Sequence, residues 1–245
     1  MEITKEVRYM KKTNVFPLLV SLFVLVSCNA PKGGNKGGSK GGTNKEITKK
    51  VYEEYTDPKK LLLERNLCIT ITSDYTSTAM TGRSIRTVNL DQGKLEMSIE
   101  QTNDAHPDHI PNYGLFSYDE SSDTLSLDWY VKQFNESGFD HYNIHHIDDT
   151  PANFSYFVRD YLGLIFDVTY DELTYESGVY VAHHLTKHAS EVDINIDRYE
   201  ISFSDSFVSK IKLTGTFIED DVSFTYIQDI TFSKFNSVSV TLPTI

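Results

Sequence analysis

Along most of the chain after residue 60, apolar side chains fall at every second position. Leu67, Ile69 and Ile71 share one face of an extended strand, as do Leu95, Met97 and Ile99 in "KLEMSIE". Leu125, Leu127, Trp129 and Val131 form the next stripe, and Val179 with Val181 another. Tyr199, Ile201 and Phe203 follow, then Ile211, Leu213 and Phe217. The longest stripe is Val222, Phe224, Tyr226, Ile230 and Phe232, interrupted at Gln228. "NLDQGK", "DESSD", "ESG", "SDS" and "EDD" separate these runs as turns. Connections this short favour antiparallel hairpins, and one apolar face per strand means that each strand is covered on one side only. The pattern predicts an α+β fold: a large curved antiparallel sheet of about eight to eleven strands, folded partway toward a barrel, with a few covering helices.

Helical spacing is confined to three places. Ile47, Val51 and Tyr55 recur at i, i+4 and i+8 and predict an amphipathic helix over 45–56. Asp57-Pro58 reads as an N-cap with proline at the first helical position, opening a short helix through "KKLLLER". In "TPANFSYFVRDYLG", Thr150 can cap, Pro151 can open and Gly163 can end a helix. Phe154, Phe157, Val158, Tyr161 and Leu162 would share the face that packs on the sheet.

The N-terminus follows a different rule. Lys5, Arg8, Lys11 and Lys12 precede "VFPLLVSLFVLV", the layout of a secretory leader. Twelve helical residues would cover about 18 Å, against roughly 30 Å of hydrocarbon, so this stretch is too short to span a membrane. The leader ends in Leu25-Val26-Ser27-Cys28, which resembles the lipobox of bacterial lipoproteins. That resemblance implies a diacylglyceryl thioether on Cys28 and cleavage between Ser27 and Cys28. Two acyl chains, each contributing about 0.8 kcal/mol per buried methylene, would then hold the chain on a membrane. The expected location is the cell membrane or the outer membrane, with the body of the protein outside the cytoplasm. Asn29 stands where Asp often marks inner-membrane retention among Gram-negative lipoproteins.

"KGGNKGGSKGGTN" repeats Lys-Gly-Gly-polar three times and contains no side chain able to support a core. The expected organisation is a signal peptide over 1–27, a flexible tether over 28–44 and a single domain over 45–245. A tether of this kind reaches about 20 Å. Residues 29–50 carry six Lys and one Glu, whereas residues 51–245 carry 13 Lys plus Arg and 32 Asp plus Glu, a net of −19. Lys32, Lys36 and Lys40 either keep the tether soluble or lie on anionic lipid while the acidic body is repelled. With a whole-chain charge of −12, nucleic acid is not an expected partner. Cys68, in "LCITITS", reads as a small buried strand residue.

The order of elements is similar to half-barrel lipoproteins of the LolA/LppX type. A helix leads into "NLCITITSDYTS", then come a meander, a late helix, "YDELTYESGVYVA" and the paired "RYEISFSDSFVSKIKL". The resemblance implies an unclosed barrel lidded by helices around a hydrophobic cavity that carries lipid or acyl chains. The candidate lining is Leu95, Met97, Ile99, Leu125, Leu127, Trp129, Phe157, Tyr161, Phe224 and Tyr226. Such large side chains could equally close the interior, which leaves a cell-envelope scaffold or protein-interaction lipoprotein as the alternative.

Catalytic signatures are missing: there is no P-loop, G-x-S-x-G, H-E-x-x-H or C-x-x-C. Neither a catalytic group nor a cofactor is expected. Histidines cluster as His106/His109, His141/His145/His146 and His183/His184/His188, but His183 and His184 should point to opposite faces of a strand, and no metal site is expected. The acidic turns "IEDD" and "DESSD" lack calcium-loop spacing. Asp148 and Asp149 suit a helix N-terminus. The expected reading is a surface-anchored, non-catalytic module for a hydrophobic small ligand. Replacing Cys28 by Ala should leave the precursor untrimmed and abolish incorporation of labelled palmitate. A trimmed, labelled product of unchanged size would contradict the lipobox reading.

Overall fold

The computed structural model describes residues 46–244 except 79, 103–110, 123, 133–137, 145, 148–149, 152–161, 163–164, 190–191, 205–206 and 220. The leader with Ser27 and Cys28, the tether, the candidate lining residues Phe157 and Tyr161, and His106, His109, His145, Asp148 and Asp149 lie outside the described residues.

Two short helices open the domain, each set by its cap. Helix α1 (Lys49–Tyr55) begins at Thr48, whose hydroxyl accepts from the Val51 amide. Helix α2 (Pro58–Leu63) begins at Asp57, whose carboxylate accepts from the Lys59 amide at 2.9 Å, with proline at the start as expected. Tyr52 is the buried residue of α1, and Leu61 and Leu62 are those of α2. The backbone just before α1 is clamped by tyrosines. Tyr180 Oη accepts from the Ile47 amide at 2.6 Å and donates to the Ile47 carbonyl at 2.8 Å, and Tyr170 Oη donates to the same carbonyl.

Strands β1 (Asn66–Thr76), β2 (Thr81–Asp91), β3 (Lys94–Gln101), β4 (Asn112–Asp119), β5 (Thr124–Val131) and β6 (Asp140–Ile144) form one meander. β7 (His146–Ile147) and β8 (Thr150–Pro151) pair separately. β9 (Thr174–Glu176), β10 (Val179–Ala189), β11 (Val192–Phe203), β12 (Val208–Glu219) and β13 (Val222–Ser233) form a second meander. The hairpin turns at Gln92-Gly93 and Ser177-Gly178 have positive φ at both central residues, the twist that two-residue hairpins require. β1 pairs with β13 from Cys68 opposite Ser233 to Thr76 opposite Thr225, which joins both meanders into one antiparallel sheet of eleven strands. β6 and β9 are its two outer strands, so the sheet is an open half-barrel.

One face of this sheet is the core. Leu67, Ile69, Val88, Leu90, Leu95, Met97, Ile201, Ile211 and Ile230 are buried there. α1, α2 and the segment around 162–168 cover it: Tyr52 Oη donates to the Val168 carbonyl at 2.5 Å, Tyr199 Oη donates to the Ile165 carbonyl at 2.7 Å, and the Phe166 ring stacks on Phe232. Side chains of this kind contribute about 1.5–3 kcal/mol each when buried.

A line of irregularity bends the second meander. Against β12, the register of β11 shifts between Ile196 and Arg198, leaving Asp197 as an extra residue. His184 lies beside it on β10, with φ of 53°. Gly215 lies on the other side, where an added Cβ would stand 2.3 Å from the Asn195 carbonyl oxygen. An inserted residue kinks its strand and strengthens the local twist, and the missing side chain lets the backbones close up.

Three sequence expectations change here. Tyr180 and Ala182, not Val179 and Val181, share the core face with Ile201 and Tyr199, because the Tyr180 hydroxyl is needed at Ile47. Thr150 and Pro151 do not open a helix; they pair with Ile147 and His146. His183 and His184 do not simply point apart, because the left-handed backbone of His184 breaks the alternation and leaves the rings 6.1 Å from each other.

Gly215→Ala should lower stability by about 1–3 kcal/mol, because backbone must move to admit the methyl group. Gly138→Ala, with nothing within 4 Å of the new methyl, should stay within about 0.5 kcal/mol of the parent. Urea denaturation of both variants checks this, and equal midpoints would contradict the close approach at the bend.

Candidate functional site

Residues directly opposite in antiparallel strands share a face, so the pairing register maps the interior in rows. One row runs Phe232, Ile69, Val88, Met97 and is wholly apolar. The next runs Ile211, Ile230, Ile71, Arg86, Ile99. The third runs Leu213, Gln228, Ser73, Ser84, Gln101, and the fourth Gly215, Tyr226, Tyr75, Gly82. Rows two to four therefore place a polar patch on the inner face, across the pairing of β13, β1 and β2. Its members are Arg86, Gln228, Ser73, Ser84, Tyr75 and Tyr226.

Five of these six groups are buried, and Ser73 is half-buried. Arg86 is 9% exposed, Gln228 4% and Ser84 7%. Gln228 Nε2 donates to Ser73 Oγ at 3.0 Å, while its Oε1 has no hydrogen-bond partner among the described residues. Burial pulls the Arg86 guanidinium down to about 10, an effect opposed by Tyr226; Arg86 remains a cation at neutral pH. Burial pushes the Tyr226 hydroxyl well up, with Arg86 pulling the other way, and burial also raises Tyr75. Both phenols are neutral at physiological pH. None of the positions in these four rows is Asp or Glu. The patch therefore offers a buried cation, hydroxyls and an amide inside an apolar wall.

Two rings lie over glycines at this surface. A Cβ on Gly82 would stand 2.0 Å from the Tyr75 hydroxyl oxygen, and one on Gly114 would stand 3.1 Å from the Trp129 ring. Tyr75 and Trp129 thus cover the sheet at positions that have no side chain of their own.

The candidate lining residues divide into two groups. Leu95, Met97, Leu125 and Leu127 are buried in the core of the first meander, with Trp129 half-buried against them. Phe224 and Tyr226 are buried farther along β13, where Phe224 stacks on Phe217 at 5.0 Å between ring centroids. Ile99 is half-buried and stands opposite Arg86.

The other candidates resolve into structure. His141 Nε2 lies 3.2 Å from Asp128 Oδ1 and its ring stacks on Tyr130. His183 lies against Arg198 and Glu176. Among the described residues no group of three or more His, Cys, Asp or Glu side chains could hold a metal ion. In the "DESSD" turn, Asp119 accepts from the Ser121 amide and from the Ser121 and Ser122 hydroxyls, and these bonds hold its carboxyl below the usual range. Cys68 is a buried free thiol, as its strand context predicts.

Arg86, Ser84 and Ser73 were missed by the sequence reading, although a signal was present. In "TGRSIRTVNL" the positions that alternate with Val88 and Leu90 are Arg86 and Ser84, so a guanidinium stands in register with the core. Gln228 gives the same signal as the break in its stripe.

No family model matches this chain, and no curated protein does. The crystal structure of a DUF1329 family protein from Desulfovibrio piger ATCC 29098 is similar over 79% of this chain and 94% of that chain, with 10% identity and a TM-score of 0.30. A likeness this distant carries no argument about fold or activity; both rest on the chain's own geometry.

Proposed function

We propose that this chain is a lipid-anchored protein of the bacterial envelope, of the LolA/LppX half-barrel type, that holds a lipid or acyl ligand without catalysing a reaction. Cys28 supplies the anchor through its diacylglyceryl thioether, and the Lys/Gly tether sets the domain about 20 Å from the headgroups. The observation that carries this reading is the one-sided open sheet. In one open sheet of eleven strands, β1 to β5 and β10 to β13 turn apolar residues to one interior, and β6 and β9 are the outer strands. A filled barrel would gain from pairing those strands, because closure removes the exposed edges. Among the described residues, α1, α2 and the stretch that carries Ile165 and Phe166 lie over the interior.

The scaffold reading has one observation in its favour: Leu95, Met97, Leu125 and Leu127 are already buried by neighbouring protein. The two readings separate on what accompanies the molecule. The full chain, purified from membranes in mild detergent, should carry about one extractable lipid per protein beyond its covalent anchor. The check is quantitative mass spectrometry of the solvent extract, against a second lipoprotein without a half-barrel prepared identically. Lipid no higher than in that control would favour the scaffold.

A further inference from the structure

Resting on the acyl-ligand reading, we infer that the interior patch of Arg86, Gln228, Ser73, Ser84, Tyr75 and Tyr226 seats the polar head of a single-tailed amphiphile. That head carries an oxyanion for Arg86 and a hydrogen-bond donor for Gln228.

The argument starts from placement. An interior made for hydrocarbon alone needs no guanidinium, yet Arg86 is enclosed between Ile71 and Ile99 in a row of isoleucines. A buried charge is costly unless its interactions offset the loss of water, and an apolar residue of similar volume is often as stable. Arginine's planar fork suits a carboxylate or phosphate, which it can engage by two parallel hydrogen bonds. Gln228 adds an independent observation. Its Oε1 is enclosed and without a hydrogen-bond partner among the described residues, although its Nε2 is fixed on Ser73. An unmade bond at a buried acceptor costs about 1–3 kcal/mol, which a ligand hydroxyl or amide N–H would restore.

The surroundings fix the direction of the tail. Beyond the patch on one side, the row Phe232, Ile69, Val88, Met97 and then the row Leu67, Leu90, Leu95 are entirely apolar. Those rows are core packed against Leu61, Leu62 and Leu162, so a tail of about ten methylenes, the strand length over them, enters as that cover is displaced. On the other side, Tyr75 and Tyr226 present phenols that remain neutral donors. No position in the three rows that form the patch is Asp or Glu, so an anion seated there meets no fixed negative charge from those rows.

The test uses the full chain in amphipol and displacement of fluorescent cis-parinarate. The competitors are lysophosphatidate (oxyanion and hydroxyl), oleate (oxyanion), methyl oleate (neither) and inorganic phosphate (no tail). Oleate and lysophosphatidate should bind at least about tenfold tighter than methyl oleate, the scale of a charge-assisted hydrogen bond. Arg86→Met should abolish that preference and leave methyl oleate unchanged, while Arg86→Lys keeps part of it. Gln228→Leu should weaken lysophosphatidate more than oleate. Near-UV circular dichroism confirms that the variants are folded. Equal binding of oleate and methyl oleate, or a preference that survives Arg86→Met, overturns the head-group seat while leaving the acyl-ligand reading standing. Full competition by inorganic phosphate overturns the requirement for a tail. Failure of every tailed probe overturns both readings.

Discussion

The first long strand of the sheet is hydrogen-bonded to the last, and the interior depends on that pairing. β1 and β13 are matched from Cys68–Ser233 to Thr76–Thr225, although more than 140 residues of chain separate them at every pair. Without this seam there would be two meanders, each with one greasy face and no means of covering it. With it, the apolar row Phe232, Ile69, Val88, Met97 runs unbroken from β13 to β3. The C-terminal segment reinforces the same end of the seam: Asn66 Nδ2 donates to the Val238 carbonyl, Asn66 Oδ1 accepts from the Val238 amide, and Asp91 accepts from the Val240 amide. A contact this distant in sequence is slow to form, so folding should be paced by closure of the seam, not by either meander.

The same seam assembles the polar patch. Gln228 belongs to β13, Ser73 to β1, and Arg86 and Ser84 to β2; the Gln228–Ser73 hydrogen bond crosses the seam itself. The stability of the sheet and the assembly of the patch are therefore linked through one ladder. The bend at His184, Asp197 and Gly215 lies in the second meander and ends beside the patch, because Gly215 stands directly opposite Tyr226. Ion pairs on the outer surface, such as Arg83–Asp74 and Lys210–Asp229, are exposed and add little to this arrangement.

Local periodicity made much of this legible in the sequence. Alternation in "KLEMSIE" and "NLCITIT" identified inward residues correctly because each side chain there is plainly apolar or plainly polar. The Asp57-Pro58 cap was legible for the same reason: its chemistry is contained in a few neighbouring residues. Reading failed where one side chain serves two environments. Tyr180 buries a ring and delivers a hydroxyl to Ile47, so alternation around it was assigned to the wrong parity. His184 could not be read because nothing local announces a left-handed backbone at a histidine. Arg86 was missed, since a guanidinium signals core only once its strand's parity is fixed by Val88 and Leu90. The seam itself has no local signature, because pairing of first and last strands is a property of the whole chain.

Hydrogen exchange of backbone amides in the full chain tests the central claim most directly. The seam residues of β1 and β13 should be among the slowest to exchange, and should open together with the central strands of both meanders as one cooperative unit. Seam amides that exchange as fast as those of the outer strand β6, while the two meanders open at separate rates, would contradict a single half-barrel held at the junction of its first and last strands.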